Sequence, residues 1–352
     1  MRIPSFRSLS TRAKAAIAVL LPLAFMALVT AVVTGYSLSR ENRESALAYT
    51  SGVTETIALD LDRIISDHQL MAITMASIYS SEPTRDREKV KKLLVDLFGK
   101  SSWIVATYAG WEPDAFDGDD KPWAGKPTHT VTGQFVPFIH CPNSIGMIHD
   151  PARIFVDSLQ NIDKYDFYMG PKRTNAPFIT PPWTYRGHRT GNLQKLVCVT
   201  APIQWPDGSF RGMAGVNIDT GAMLDKFNSL KVMDHGLVFI IYKTGLLLTF
   251  PDESITFSQT ILDIGDRFGN ANLDKLIADI AAGRKGVTYG RHPVTGVKSW
   301  IVYHPVPTSE WGVVLVAPRM DVFRSRNTLI IVLMALFVLT ALGAFMVIRR
   351  TL

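Results

Sequence analysis

The densest run of chemically capable side chains lies between Trp111 and Trp123, in WEPDAFDGDDKPW. Asp114, Asp117, Asp119, Asp120 and Glu112 share it, with a tryptophan at each end. Such a run could hold calcium, supply an acid–base pair, or shape a turn. An EF-hand loop needs oxygen ligands at its first, third and fifth positions. Counted from Asp114, Phe116 and Gly118 fall at the third and fifth; counted from Asp117, Asp119 fits but Lys121 takes the fifth. A working carboxylate pair needs a shielded site that separates two pKa values, whereas Gly118-Asp119-Asp120 reads as an exposed turn. The stretch is therefore read as a solvated turn, with Trp111 at the edge of whatever pocket lies beside it.

Other catalytic constellations are missing from the sequence. His68, His129, His140, His149, His188, His235, His292 and His304 form no H-E-x-x-H and no close pair at metal-ligand spacing. There is no G-x-S-x-G, P-loop or G-x-G-x-x-G. Cys141 directly follows His140, and neighbours on a strand face opposite ways, which argues against a nucleophile and its base. No catalytic residue, metal or cofactor is expected, and the chain is not expected to be an enzyme.

The elements around these residues begin with two uncharged runs, 15–38 and 328–348. A helix needs about 20 apolar residues to span a bilayer, so both qualify, with Pro22 tolerated in the first. Arg2, Arg7, Arg12 and Lys14 precede the first run and Arg349 and Arg350 follow the second. Positive flanks stay cytoplasmic, which predicts a two-pass membrane protein. Residues 1–14 and 349–352 then lie inside and 39–327 outside. The chain carries 37 Lys+Arg against 31 Asp+Glu, and the excess is those six flanking residues. The outer segment is neutral, so nucleic-acid binding is not expected. Cys141 and Cys198 lie on the oxidising side; a disulfide stays open, although Cys198 in LVCVT reads as a buried strand residue.

Within the outer segment, Ile57, Leu61, Ile64, His68, Met71, Met75 and Ile78 recur at four- and three-residue steps. That is a coiled-coil-like seam or one face of a long stalk helix over 39–83, with His68 as a packing residue rather than a pH switch. A second helix should run from Thr84, as N-cap, to Gly99. WIVATYAGW reads as a strand, and GQFVPFIHC as an edge strand or bend at Pro137. Strands at 196–205 and 210–218 form a hairpin about Pro206-Asp207-Gly208, followed by a short helix from Thr220. Beyond Asp234 come two apolar strands about Lys243-Thr244-Gly245, a helix ending at Gly283, and three strands in GVTYG, VKSWIVYHPVP and EWGVVLVAP. That order is PAS-like.

The ordered set resembles the double Cache (dCache) sensor region of bacterial chemoreceptors, sensor histidine kinases and diguanylate cyclases. WEPDAFDGDD, TGQFVPF, YDFYMGPKRTNAPFITPPWTY, VTAPIQWPDGSFRGMAGVNID, YKTGLLLTFPDE and EWGVVLVAP are similar, in order, to elements of one large group of these domains. The resemblance covers most of 40–320. It implies an α+β fold of two PAS-like (Cache) modules on the stalk helix, flanked by the two transmembrane helices. The membrane-distal module, 84–231, would bind a small molecule and the membrane-proximal one, 232–318, would relay. It also implies a homodimer through the stalk helix and a place in the bacterial inner membrane, with 39–327 in the periplasm.

Amino-acid-binding relatives grip their ligand with an Arg-x-Trp-Tyr element and a later Asp. Here the first reads Tyr165-Asp166-Phe167-Tyr168 and the second is Asn217. Losing the guanidinium removes a bidentate carboxylate fork, and losing the Asp removes a charge opposite an ammonium. A standard amino acid is therefore disfavoured. Tyr165, Phe167, Tyr168, Trp183 and Tyr185 could box an amine, a flat heterocycle or another small metabolite. Asn217 and Asp219 share a strand face and are candidate polar contacts, with N-capping of the next helix an alternative for Asp219. Lys172 and Arg173 read as solvated. Two rivals stand beside the sensor: an anchored extracytoplasmic enzyme using His140 or Asp117, and a non-signalling membrane protein with a vestigial Cache fold. No HAMP, kinase or cyclase sequence follows 348, so a separate cytoplasmic signalling partner is expected, or the chain is a remnant of a longer receptor.

Overall fold

The computed structural model describes residues 11–81, 85–140, 155–186, 193–228, 230, 232–322, 331–332, 334–340, 342–343 and 346. One helix, α1 (Thr11–Ser81), runs unbroken for 71 residues past Pro22, joining the first apolar run to the stalk. Most side chains of 15–38, and much of 328–348, lie outside the described residues. Among those described, no helix is long and apolar enough to cross a membrane, and Phe25, Met26, Ile331 and Leu339 are exposed.

The heptad-like seam of α1 faces the chain's own sheets. Ile57, Leu61, His68 and Met75 are buried in one core with strands of both sheets, whereas Ile78, at its end, is 38% exposed. Leu59, Leu70 and Ile73 stand exposed on another side. The periodicity thus records intramolecular packing of a helix face, because two sheets stack along the helix and each covers the same stripe. His68 is a packing residue, as expected. Its Nδ1–H donates to Ile64 O at 2.6 Å, and its Nε2 accepts from Ser101 Oγ at 2.9 Å.

The first sheet is antiparallel, in the order β3–β2–β1–β7–β6–β4, with β5 also on β6. Its strands are β1 (Ile104–Trp111), β2 (Pro137–His140), β3 (Phe155–Ser158), β4 (Phe178–Ile179), β5 (Trp183–Arg186), β6 (Leu193–Gln204) and β7 (Phe210–Asp219). The β6–β7 hairpin closes where predicted, with Gly208 at φ 83° and its N–H donated to Trp205 O. α2 (Arg87–Phe98) starts later than predicted. Its cap is Asp86, whose carboxylate accepts from Glu88 N and Lys89 N and so satisfies free first-turn donors; Thr84 lies outside the described residues. β2 is not an edge strand, since β3 pairs outside it; Pro137 is tolerated because it opens the strand.

The second sheet, β8–β11–β10–β9, is built from β8 (Leu237–Tyr242), β9 (Gly286–Arg291), β10 (Lys298–Pro305) and β11 (Trp311–Pro318). α1 covers one face, and α5 (Leu273–Ala281) the other. The expected second strand after Gly245 is reduced to isolated bridges at Leu246 and Leu247. Thr249 explains this: its Oγ1 accepts from Ile240 N at 2.8 Å, so a side chain takes a place in the ladder that a backbone carbonyl would hold. α4 (Thr220–Asn228) leads out of the first sheet.

Candidate ligand-binding site

β1 and β7 divide their residues between two environments. Thr107, Ala109 and Trp111 face the helices, while Ala106 and Tyr108 face away from them. Met213, Gly215 and Asn217 alternate with Ala214, Val216 and Ile218 in the same way, and Asn217 pairs with Ala106 on one side and Cys198 on the other. This second face, opposite α1 and α2, is walled by β2, β3, β5 and the start of α3 (Asp166–Thr174). They enclose a cavity of about 450 Å³.

Five of the eight expected site residues line it: Tyr165, Phe167, Trp183, Tyr185 and Asn217. α3 brings the first two together. Tyr165 precedes it in extended conformation, and its ring stacks on Phe167 at 5.4 Å. Phe167 meets Tyr108 edge-on at 5.6 Å. On β5, Trp183 and Tyr185 alternate onto one face and touch edge-on at 5.7 Å. α3 itself was not legible, because Gly170 and Pro171 read as breakers. Gly170 is there for close packing: a methyl at its position would sit 2.3 Å from the Phe178 ring.

Three expected residues do not line the cavity. Trp111 is 1% exposed on the helix side, stacked on Phe135 at 5.2 Å, because three positions along a strand from Tyr108 reverse the face. Tyr168 is buried beneath the cavity floor, its hydroxyl donated to Glu112 and its ring edge-on to Phe210; one helical step from Phe167 turns it inward. Asp219 shares the face of Asn217 but lies beyond the cavity. A methyl on Gly221 would come 3.2 Å from its Oδ1, so its carboxylate turns to the first turn of α4. Lys172 pairs with Glu112 at 2.7 Å and Arg173 with Asp166 at 3.2 Å; neither lines the cavity.

Residues not expected among the ligand contacts complete the wall, His140 among them, which the sequence offered only to the rival enzyme. Tyr108, Phe138 and Leu196 add apolar surface, and His140, Asp157, Gln160, Asn161 and Gln194 add polar groups. His140 stacks on Phe138 at 4.7 Å and donates from Nε2 to Asp157 Oδ2 at 2.9 Å. The signal that could have found Tyr108 is its alternation with Trp111 once the partner strand is known.

Two polar atoms at the base have no partner. Asn217 Oδ1 and Tyr108 Oη are both buried and unpaired. Burial holds the Tyr108 phenol well above its ordinary pKa, and the neighbouring Cys198 would raise it further if charged; the two do not meet hydrogen-bond geometry. Burial pushes the Cys198 thiol up to about 11, so it is neutral at physiological pH. Cys198 is free and buried, and Cys141 lies outside the described residues.

The acidic stretch is only in part the solvated turn it reads as: Asp114 and Asp119 are exposed, but Asp117 is half-buried and Asp120 buried. Arg87 on α2 donates to Asp117 Oδ1 at 2.5 Å and Oδ2 at 3.0 Å, and to His129 Nε2 at 2.6 Å. Its guanidinium carbon lies 4.4 Å from the Trp123 ring centroid. Asp120 is buried, and its Oδ2 accepts from Asp114 N at 2.7 Å while Asp114 Oδ1 accepts from Asp120 N at 3.0 Å. The stretch is a clasp, closed by Arg87 at its carboxylates and by Arg85 and Arg211 at the backbone carbonyls of Asp117, Ala115 and Phe116. Among the described residues no group of three or more His, Cys, Asp or Glu could hold a metal.

No family model and no curated protein matches the sequence. Solved structures do. The extracellular domain assigned to a histidine kinase, mmHK1S-Z2, matches at 26% identity and TM-score 0.69, over 78% of this chain and 98% of that one. The periplasmic sensory domain of the Campylobacter jejuni chemoreceptor Tlp1 matches at 16% identity and TM-score 0.58, over 80% and 98%. The ligand-binding domain of a Pseudomonas aeruginosa amino acid chemoreceptor, solved with GABA, matches at 14% identity and TM-score 0.51, over 77% and 99%. The chain has the α+β, antiparallel fold of these extracellular sensory domains.

Proposed function

We propose that this chain, which carries a sensory domain of the double Cache kind, is a two-pass membrane receptor that binds a small molecule outside the cell and passes the event inward. The observation that carries this reading is the cavity of about 450 Å³ whose base holds the buried, unpaired Asn217 Oδ1 and Tyr108 Oη. An unsatisfied buried acceptor costs about 1–3 kcal/mol, and a ligand that supplies the missing partner recovers it. Residues 84–231 are the binding module, 232–318 the relay, and 15–38 and 328–348 the spans, with both ends in the cytoplasm. A copy of the same chain pairs along α1, on the side where Leu59, Leu70 and Ile73 stand exposed.

A relay needs a contact between the modules that ligand binding can bias, since a ligand shifts an equilibrium only by its differential affinity. Lys195 supplies one. It lies between the cavity residues Gln194 and Leu196 on β6, and its Nζ donates to Thr256 Oγ1 at 2.6 Å and lies 5.1 Å from the Phe257 ring. Phe257 holds φ at 60°, a strained setting for a bulky residue of the kind found in switch segments.

An enzyme is the second reading, favoured only by the His140–Asp157 pair in the cavity. The nearby Cys198 thiol and Tyr108 phenol are both held in their neutral forms, so among the described residues no activated nucleophile stands beside that pair. The test is a thermal-shift screen of the full-length chain against amines, heterocycles, amino acids and carboxylates. A hit whose shift disappears in Trp183→Ala and Asn217→Ala supports the sensor. Turnover of a hit, lost in His140→Ala, would replace it with the enzyme.

A further inference from the structure

The ligand class of this cavity follows from its charges, on the premise that the cavity is the sensor's binding site. None of the described lining residues is Lys or Arg. The ionisable pair near the mouth, His140 and Asp157, is already joined at 2.9 Å, with the Asp157 side chain 44% exposed. A carboxylate or phosphate drawn into such a cavity would leave water without meeting a cation, which costs several kcal/mol per ion. A zwitterionic amino acid carries that same burden. Its ammonium, placed at the base, would meet Asn217, which is uncharged.

The base offers hydrogen bonds between neutral groups instead. Asn217 Oδ1 is an acceptor without a donor, and the Tyr108 hydroxyl is a donor without an acceptor. Gly215 lies between their rows, its backbone paired with Tyr108, so the two side chains stand one step apart along the same face. The walls are ring faces and edges: Tyr165 stacked on Phe167 at 5.4 Å, and Trp183 against Tyr185 at 5.7 Å. Aromatic walls favour a flat ligand, which they can contact by offset or edge-on stacking.

We propose that the cavity selects an uncharged, flat nitrogen heterocycle. One edge presents an N–H to Asn217 Oδ1 beside a ring nitrogen or carbonyl that accepts from Tyr108 Oη. A lactam or amidine edge of nucleobase type has this donor–acceptor pattern. Asn217 and Tyr108 are the specificity-determining residues, and the aromatic walls supply affinity without reading the edge.

The test uses the full-length chain in detergent at pH 7.5, titrated by calorimetry. The probes are adenine, hypoxanthine, uracil and nicotinamide as neutral heterocycles, choline and putrescine as cations, and L-serine and GABA as zwitterions. At least one neutral heterocycle binds. Tyr108→Phe, which keeps the ring and its packing, weakens it about tenfold, the value of one hydrogen bond between neutral groups. Asn217→Asp weakens it at least as much and raises affinity for choline or putrescine. Binding of a cation or zwitterion to the unaltered chain, with no heterocycle bound, overturns the ligand class and leaves the sensor standing. A bound heterocycle indifferent to both substitutions also overturns it. No binding by any probe counts against both.

Discussion

Replacing Arg87 with Met tests whether the acidic stretch is a structural clasp. Arg87 is 5% exposed and is the cation that faces Asp117, at 2.5 Å, and Asp120, at 3.8 Å. Removing one partner of a buried ion pair costs about 3–5 kcal/mol, because the other charge stays behind uncompensated. The Asp117 side chain keeps 24% of its exposure, so water recovers part of the loss and the low end, about 3 kcal/mol, is expected. At about 2–4 °C per kcal/mol for a domain of this size, Tm falls by about 6–12 °C. Circular dichroism melts of the unaltered chain, Arg87→Met, Asp117→Asn and the double variant give the cycle. Since the penalty is a stranded carboxylate, adding Asp117→Asn to Arg87→Met restores about 1 kcal/mol or more. A loss below about 1 kcal/mol for Arg87→Met, the range of an exposed pair, or additive losses in the double variant would refute the clasp.

Acidification destabilises the fold through its buried histidines. Burial lowers the pKa of His68, His129 and His292 in the folded chain. The unfolded chain therefore binds the protons first, so the stability they contribute is complete above about pH 6.5 and declines as pH falls through it. Melts at pH 7.5 and 5.5 should show the drop, and His68→Gln should flatten it. Gly212→Ala places a methyl 2.4 Å from Gly110 O, a backbone atom that cannot step aside; a loss of about 1–3 kcal/mol in urea unfolding is expected, and a neutral result would show that β1 and β7 can separate. Lys195→Met removes the donor to Thr256, and ligand-induced protection of 255–260 in hydrogen exchange should fade while ligand affinity stays within about threefold. Unchanged protection would exclude Lys195 as the relay.

Much of the fold was legible because it is written in short-range signals. The β6–β7 hairpin follows from Pro206-Asp207-Gly208 between apolar runs, and the end of α5 from Gly283, which holds φ at 69° just past its cap. Where local signals compete, the reading slipped. Asp86 caps α2 two residues beyond the expected start, and Thr249 bonded Ile240 in place of a strand partner. Gly170-Pro171 hid α3 because the close approach of Phe178 that requires the glycine involves a residue outside the helix.

The sequence alone determined the kind of domain, the order of its elements, and an aromatic-rich segment from Tyr165 to Tyr185 that forms part of a pocket. Those follow from periodicity and turn chemistry, which act over a few residues. Only the tertiary structure decided which side chains meet. The seam of α1 turned out to face the chain's own sheets, since periodicity defines a face but not its partner. Trp111 and Tyr168 left the expected site because strand and helix geometry turn neighbours to opposite sides. Tyr108 and His140 entered it because pairing across β2, β1 and β7 brings together residues far apart in the chain. Asn217 was visible in the sequence as a departure from a pattern. That its carbonyl is buried without a donor is a fact of packing, and it is this that gives the cavity a chemistry.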